Sequence, residues 1–260
     1  MCFRIWGLRI MSEEDNPPLL RNHWARESRA NSVERPCCDC LGSQWDDDVK
    51  WTELPIHQEV QDETSSGWIR LLQLIEEAAN DGREEFSPLR EMTAEQWIEI
   101  VTLPPTIEKL KNVKHFILYG SSLVRIPPEI GEMTNLEQFT PYTSYRLHWF
   151  PYEIRRCKKL TRSTVSTRAI YGNFKFRPPF PALPQLSDLY RPKTCSICNG
   201  DLPNIPLQRW TSGRMGSDIV PLLVHACSET CINSIHDAPE NYVKRPHCGG
   251  LGLKQPDTDW

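Results

Sequence analysis

The chain contains no apolar stretch approaching the roughly 18–20 residues that a membrane-spanning helix needs, so no such helix is expected. Its first ten residues are interrupted by Arg4 and Arg9 and do not form the apolar centre of a secretory signal. Surplus positive charge is missing too. A formal net charge of -4 argues against a general nucleic-acid binder held by a basic surface. No Gly-rich phosphate loop, HExxH or GxSxG string occurs, which removes the common signatures of phosphoryl-transfer, zinc-protease and serine-hydrolase chemistry. Without an export signal a cytoplasmic setting is expected, and there ten cysteines are reduced or metal-bound rather than joined in disulfides.

Proline, by contrast, is abundant: 22 of 260 residues, against a usual share of about 5%. It recurs in LPP, IPP and RPPFP contexts, as in a chain that turns at regular intervals. Residues 1–55 mix both charges with Pro, Asn and Ser and lack periodicity, which reads as a poorly ordered lead-in. Within it Cys37, Cys38 and Cys40 are too crowded for separate corners of one metal tetrahedron, and a reduced loop is expected over a metal or redox role. Residues 56–102 read as a helical cap. Trp68, Leu71, Leu72 and Ile75 recur at helical spacing between a Ser65 or Ser66 cap and Gly82, and Thr93-Ala-Glu-Gln96 fits a capping box ahead of Trp97.

From residue 103 the sequence repeats. Leu103-Pro-Pro-Thr-Ile107-Glu-Lys-Leu110-Lys-Asn-Val113-Lys-His-Phe116 is echoed from Ile126 through Ile130, Met133 and Leu136 to Phe139, and again from Phe150 through Ile154 and Cys157 to Leu160. The offsets are 23 and 24 residues. Such a period falls in the range of leucine-rich repeats, where one unit cannot bury its apolar face alone and neighbours must stack. The LPPxIxxLxxV and IPPEIGxMxxLxxF strings resemble the 23-residue LPxxI class of leucine-rich repeats, and the chain is similar to short bacterial proteins of that class. That resemblance implies a solenoid over 103–175 and no established activity. Three positions depart from the pattern: Ser121 in place of the ladder Asn, Pro141 on a strand, and Ser163 in place of a large apolar residue.

Cysteine carries the clearest chemistry. Cys195-Ser-Ile-Cys198 forms a CxxC knuckle ahead of Asn199-Gly200, and Cys227-Ser-Glu-Thr-Cys231 follows with its cysteines one helical turn apart. Two sulfurs from a knuckle and two from a turn of helix can complete a tetrahedron around zinc, and a filled thiolate shell reads as structural rather than catalytic. The second half resembles the xCSxxC element of treble-clef zinc fingers with one residue added. His225, His247 and Cys248 stay open as replacement ligands. Residues 176–260 are accordingly read as a zinc-binding capping module.

The expected fold class is therefore α+β: a short leucine-rich-repeat solenoid with an N-terminal helical cap and a C-terminal zinc module. The expected function is protein–protein interaction. Outward strand residues and the aromatic loop 140–150 supply the candidate contacts Lys114, Tyr119, Gln138, Tyr142, Tyr145, Trp149 and Arg162, in keeping with the weight of tyrosine, tryptophan and arginine at interfaces. Two other classes stay open. One is an enzyme with its site between the repeats and the C-terminal module. The other is nucleic-acid binding through the zinc module, with Lys193, Arg209, Arg214, Lys244 and Arg245 as its charge.

Overall fold

The computed structural model describes residues 56–183 and 190–257; the lead-in expected at 1–55, with Cys37, Cys38 and Cys40, lies outside the described residues. Helix α1 (Ser66–Asp81) starts where the Ser65 side chain accepts the Trp68 N–H and stops at left-handed Gly82. Its inner face is Trp68, Leu71, Leu74, Ile75 and Ala78. The short α2 (Ala94–Ile98) has the expected Thr93–Gln96 capping box and buries Trp97. Between them runs a strand that the periodicity did not announce, β1 (Glu85–Phe86).

Three further strands, β2 (His115–Ile117), β3 (Gln138–Thr140) and β5 (Arg162–Ser163), pair with β1 in parallel, in the order β1-β2-β3-β5. Parallel neighbours need long crossovers, and each crossover here carries a 3-10 turn: Pro105–Lys109, Pro128–Glu132 and Tyr152–Arg156. Pro104, Pro127 and Pro151 introduce these turns in one shared extended conformation, with φ of -72, -73 and -69. Proline suits that place because its fixed φ leads into a helical turn and its missing N–H is not needed there. The pairing register sets Phe86, Phe116 and Phe139 side by side, with successive ring centroids 5.7 Å apart. Phe116, Leu136 and Phe139, recurrent apolar positions of the repeat, are each 0% exposed, as is Leu118.

Strand β4 (Phe150–Pro151) does not join this ladder. It pairs in parallel with β7 (Asp218–Ala226), itself antiparallel to β6 (Leu207–Met215), in a second sheet ordered β4-β7-β6. The expected α+β solenoid flanked by separate end modules is thereby corrected. The fold is α/β, with one parallel sheet, one mixed sheet and few helices. The reason is local. Residues 85–86, assigned to a helical cap, supply a strand, and residues 150–151, assigned to the third repeat, give their backbone to the C-terminal hairpin.

Trp149, Tyr171, Phe180, Tyr190, Trp210 and Leu223 form one buried cluster, together with Ile56 from the far end of the chain. The hairpin turn also reaches back to β5. The Ser163 hydroxyl donates to the Met215 carbonyl at 2.6 Å, and the Ser163 N–H donates to Ser217 Oγ at 3.1 Å. Gly216 makes that approach possible: a Cβ there would lie 2.6 Å from the Arg162 carbonyl carbon, and its φ is 58°. Ser163 departs from the repeat pattern because its side chain serves this turn.

Residues 56–61 are fastened by polar groups. His57 Nε2 meets His148 Nε2 at 3.1 Å, and His148 Nδ1 lies 2.6 Å from the Ala169 carbonyl, which can only accept. His148 therefore carries its proton on Nδ1, and His57 donates from Nε2. Glu59 pairs with Arg146, and its carbonyl takes a hydrogen bond from Arg125 at 2.8 Å. Among the described residues no helix is long and apolar enough to cross a membrane.

Candidate functional site

Cys195 and Cys198 sit on the loop that runs from Thr194, which bridges to Asp201 across the knuckle. Two backbone bonds close it: Asn199 N–H to the Cys195 carbonyl at 3.1 Å and Cys195 N–H to the Gly200 carbonyl at 2.8 Å. Asn199 takes a positive φ of 61°, tolerable for Asn in so tight a turn. The other pair comes from the end of β7 and from α3 (Glu229–Asn233). Ser228 caps α3 by accepting the Cys231 N–H, and the helical rise then stacks Cys231 over Cys227.

The four sulfurs all lie within 4.8 Å of one another. Cys198 and Cys227 sulfurs are 3.7 Å apart and those of Cys227 and Cys231 are 3.6 Å apart. A regular tetrahedron with metal–sulfur bonds of about 2.3 Å has edges of about 3.8 Å. A disulfide, at about 2.05 Å, is excluded by the same distances, and the described cysteines are all free thiols. The cluster can hold a metal ion. Its electrostatics ask for one. Burial opposes ionisation of Cys195, but N–H donors from Cys198, Ile197 and Cys227 outweigh it and bring that thiol down to about 7. The Ser228 hydroxyl favours the Cys231 thiolate, yet burial and the neighbouring thiols push Cys231 up to about 12. Four sulfurs this close ionise together only around a cation.

None of the reserve ligands joins them. His225 Nε2 lies 3.0 Å from the Gln208 side-chain nitrogen, and burial pushes its imidazole down to about 4. His247 packs edge-on against Phe180 beside Trp210, and Cys248 is exposed. Behind the sulfurs lies a small apolar core of Val224, Ala226, Ile232 and Ile235, so the cluster closes one end of the mixed sheet.

The expected contact residues divide. On the parallel sheet the strand centres are buried and their neighbours are half open, the pattern of a one-sided face. Tyr119 and Tyr142 follow β2 and β3, each 43% exposed, with ring centroids 6.0 Å apart. Lys114 and Gln138 are half-buried, Arg162 is exposed, and Tyr145 is half-buried with its hydroxyl pushed up by burial. Trp149 is different. It is 3% exposed, with Trp210 at 6.0 Å and Tyr190 at 5.5 Å, and is core rather than contact. Its neighbour Phe150 is drawn into the mixed sheet, and Trp149 faces the cluster behind it.

One group escaped the sequence reading. Glu153, only 1% exposed, has its carboxyl pushed up by burial, against a hydrogen bond from Ser196 in the knuckle. The signal was present: Glu129 in IPPEI and Glu153 in FPYEI occupy the same place in successive repeats. No protein-family model matches the chain, and no curated protein matches it as a relative.

Proposed function

We propose that this chain is a zinc-stapled binding protein whose parallel sheet presents a tyrosine-bearing face to a protein partner. The observation that carries the reading is the exposed pair Tyr119 and Tyr142, which follow the paired strands β2 and β3 with ring centroids 6.0 Å apart. Large rigid amphipathic rings held on a sheet lose little entropy on contact, the property that makes tyrosine prominent at interfaces. Zinc is the metal of choice for four thiolates, in a full shell that stabilises the fold and leaves no open position for substrate. The free thiols support a reducing, cytoplasmic setting. The 23-residue register of β2 and β3 supports kinship with the LPxxI class of leucine-rich repeats.

Two facts weigh against the other classes. Of the five cations named for the zinc module, Lys193, Arg209 and Arg245 have acidic partners in Glu129, Glu229 and Asp237, which leaves less unpaired positive charge for a phosphate backbone. Of the voids between the repeats and the C-terminal residues, one measures about 10 Å³, room for one water, and one about 190 Å³, below the roughly 300–1,000 Å³ of sites for drug-sized ligands. The test is affinity capture from the native host with the intact chain and with the double variant Tyr119→Ala, Tyr142→Ala. A partner retained by the first and lost by the second is expected. The same proteins on both would remove the tyrosine face from the reading.

A further inference from the structure

Ser163, at the end of β5, stands against the turn that joins β6 to β7. Its hydroxyl oxygen has three partners: the Met215 carbonyl oxygen at 2.6 Å, Asp218 Oδ2 at 2.5 Å and the Asp218 N–H at 3.1 Å. The N–H can only donate and takes up one lone pair. The other two contacts join oxygen to oxygen at the short end of the O–H···O range, so each needs a proton between its atoms. A serine hydroxyl supplies one proton. The Met215 carbonyl can supply none, so the second comes from the Asp218 carboxyl. With Asp218 neutral, Ser163 donates once, accepts twice and is fully used. With Asp218 ionised, one short contact sets two bare oxygens against each other.

The surroundings favour the neutral form. Burial pushes the Asp218 carboxyl above its ordinary 3.8; a hydroxyl donating to it would act the other way. Arg162 of β5 and Arg214 of β6 are both exposed, and neither forms an ion pair with Asp218 among the described residues. Tyr242 approaches from the C-terminal segment with Arg177 beside it. Burial pushes the Tyr242 hydroxyl up, and negative charge on Asp218 would push it further, so this neighbour also opposes ionisation.

The turn has little room to adjust. A Cβ at Gly216 would lie 2.8 Å from the Ser163 nitrogen, and Ser217 Oγ donates to the Ser163 carbonyl at 2.9 Å. We propose that Ser163 and Asp218 form a proton-operated latch: protonated Asp218 clamps the β6–β7 turn to the end of the parallel sheet, and loss of that proton loosens the clamp. Opening breaks the carboxyl O–H bond; the proton passes to water and the electron pair stays on Asp218. The last strand of the parallel sheet then loses part of its cover. Closing the latch binds a proton, so its hold is complete below 3.8, weakens as pH rises from there, and reaches its lower limit above the raised value. The latch is independent of the tyrosine face and of that reading.

The test follows the Asp218 Cγ resonance of the full metal-loaded chain, in excess zinc, from about pH 8 to about pH 4. A midpoint above 3.8 is expected, and a lower one in Ser163→Ala, which removes the acceptor that holds the acid in its neutral form. A carboxylate that accepts from Ser163 would respond with the opposite sign, its midpoint rising in the variant. Hydrogen-exchange protection of the Asp218 amide should fall about tenfold per pH unit between 3.8 and the parent midpoint. Asp218→Asn, whose amide donates to Ser163 at every pH, should keep that protection throughout, a gain at high pH that a misfolded variant cannot imitate. A parent midpoint at or below 3.8, a midpoint that rises or stays in Ser163→Ala, or one protection profile shared by the parent and Asp218→Asn would overturn the latch.

Discussion

His247 sits with its ring centroid 4.6 Å from that of Phe180, and its Nδ1 accepts the Gly249 N–H at 3.2 Å. Burial pushes its imidazole from 6.5 down to about 4. Between those values the unfolded chain binds the proton and the folded one does not. Stability from this residue is therefore complete above pH 6.5 and is lost as pH falls toward about 4. The loss amounts to roughly 3 kcal/mol at most. His225 carries the same shift, so His247→Gln should reduce the slope of urea-derived stability across that window by about half; an unchanged slope would place the acid sensitivity elsewhere. Side-chain type alone does not reveal such settings. Trp149 and Tyr142 stand within one aromatic loop, and their contrasting burial goes with the strand each one adjoins, β4 of the mixed sheet for Trp149 and β3 of the parallel sheet for Tyr142, which local composition does not encode.

At the scale of elements, helices and turns were the legible part. Ser65, Gly82 and the Thr93–Gln96 box mark their own boundaries because capping is a local matter of side chains meeting backbone. The cysteine cluster was equally readable, since its geometry follows from a knuckle and one turn of helix. Two-residue strands are not readable in this way. Glu85–Phe86 and Phe150–Pro151 are too short for any alternation, and their partners are set by distant backbone. Ser163 shows how such a partner can override a repeat. Its hydroxyl also accepts the Asp218 N–H at 3.1 Å, so the turn between β6 and β7 is tied to the last parallel strand through one side chain. Ser163→Ala should cost about 1–3 kcal/mol by stranding those groups. A denaturation midpoint shared with the parent chain would mean that the contact contributes nothing net.

For the molecule as a whole, the metal should matter more than any single contact. Structural zinc sites contribute about 10–16 kcal/mol of folding free energy in small zinc domains. Native mass spectrometry is expected to find one zinc per chain, lost in Cys198→Ser. Hydrogen exchange after chelation should rise first around 194–235, where Cys195, Val224, Ala226, Ile232 and Ile235 share a core with the sulfurs. Protection unchanged there, or no metal bound, would show that the cluster stays reduced and empty.

The cover that the turn between β6 and β7 places over β5 sets a timetable for the chain as it leaves the ribosome. Strand β5 ends at Ser163, and the turn that covers it begins at Gly216, about fifty residues later. At roughly 5–20 residues per second, the parallel sheet is complete for several seconds before its exposed edge is covered. During that interval the newborn molecule offers unpaired backbone to any strand nearby. A stop in synthesis between the two points would release a product that is folded at its start and adhesive at its end.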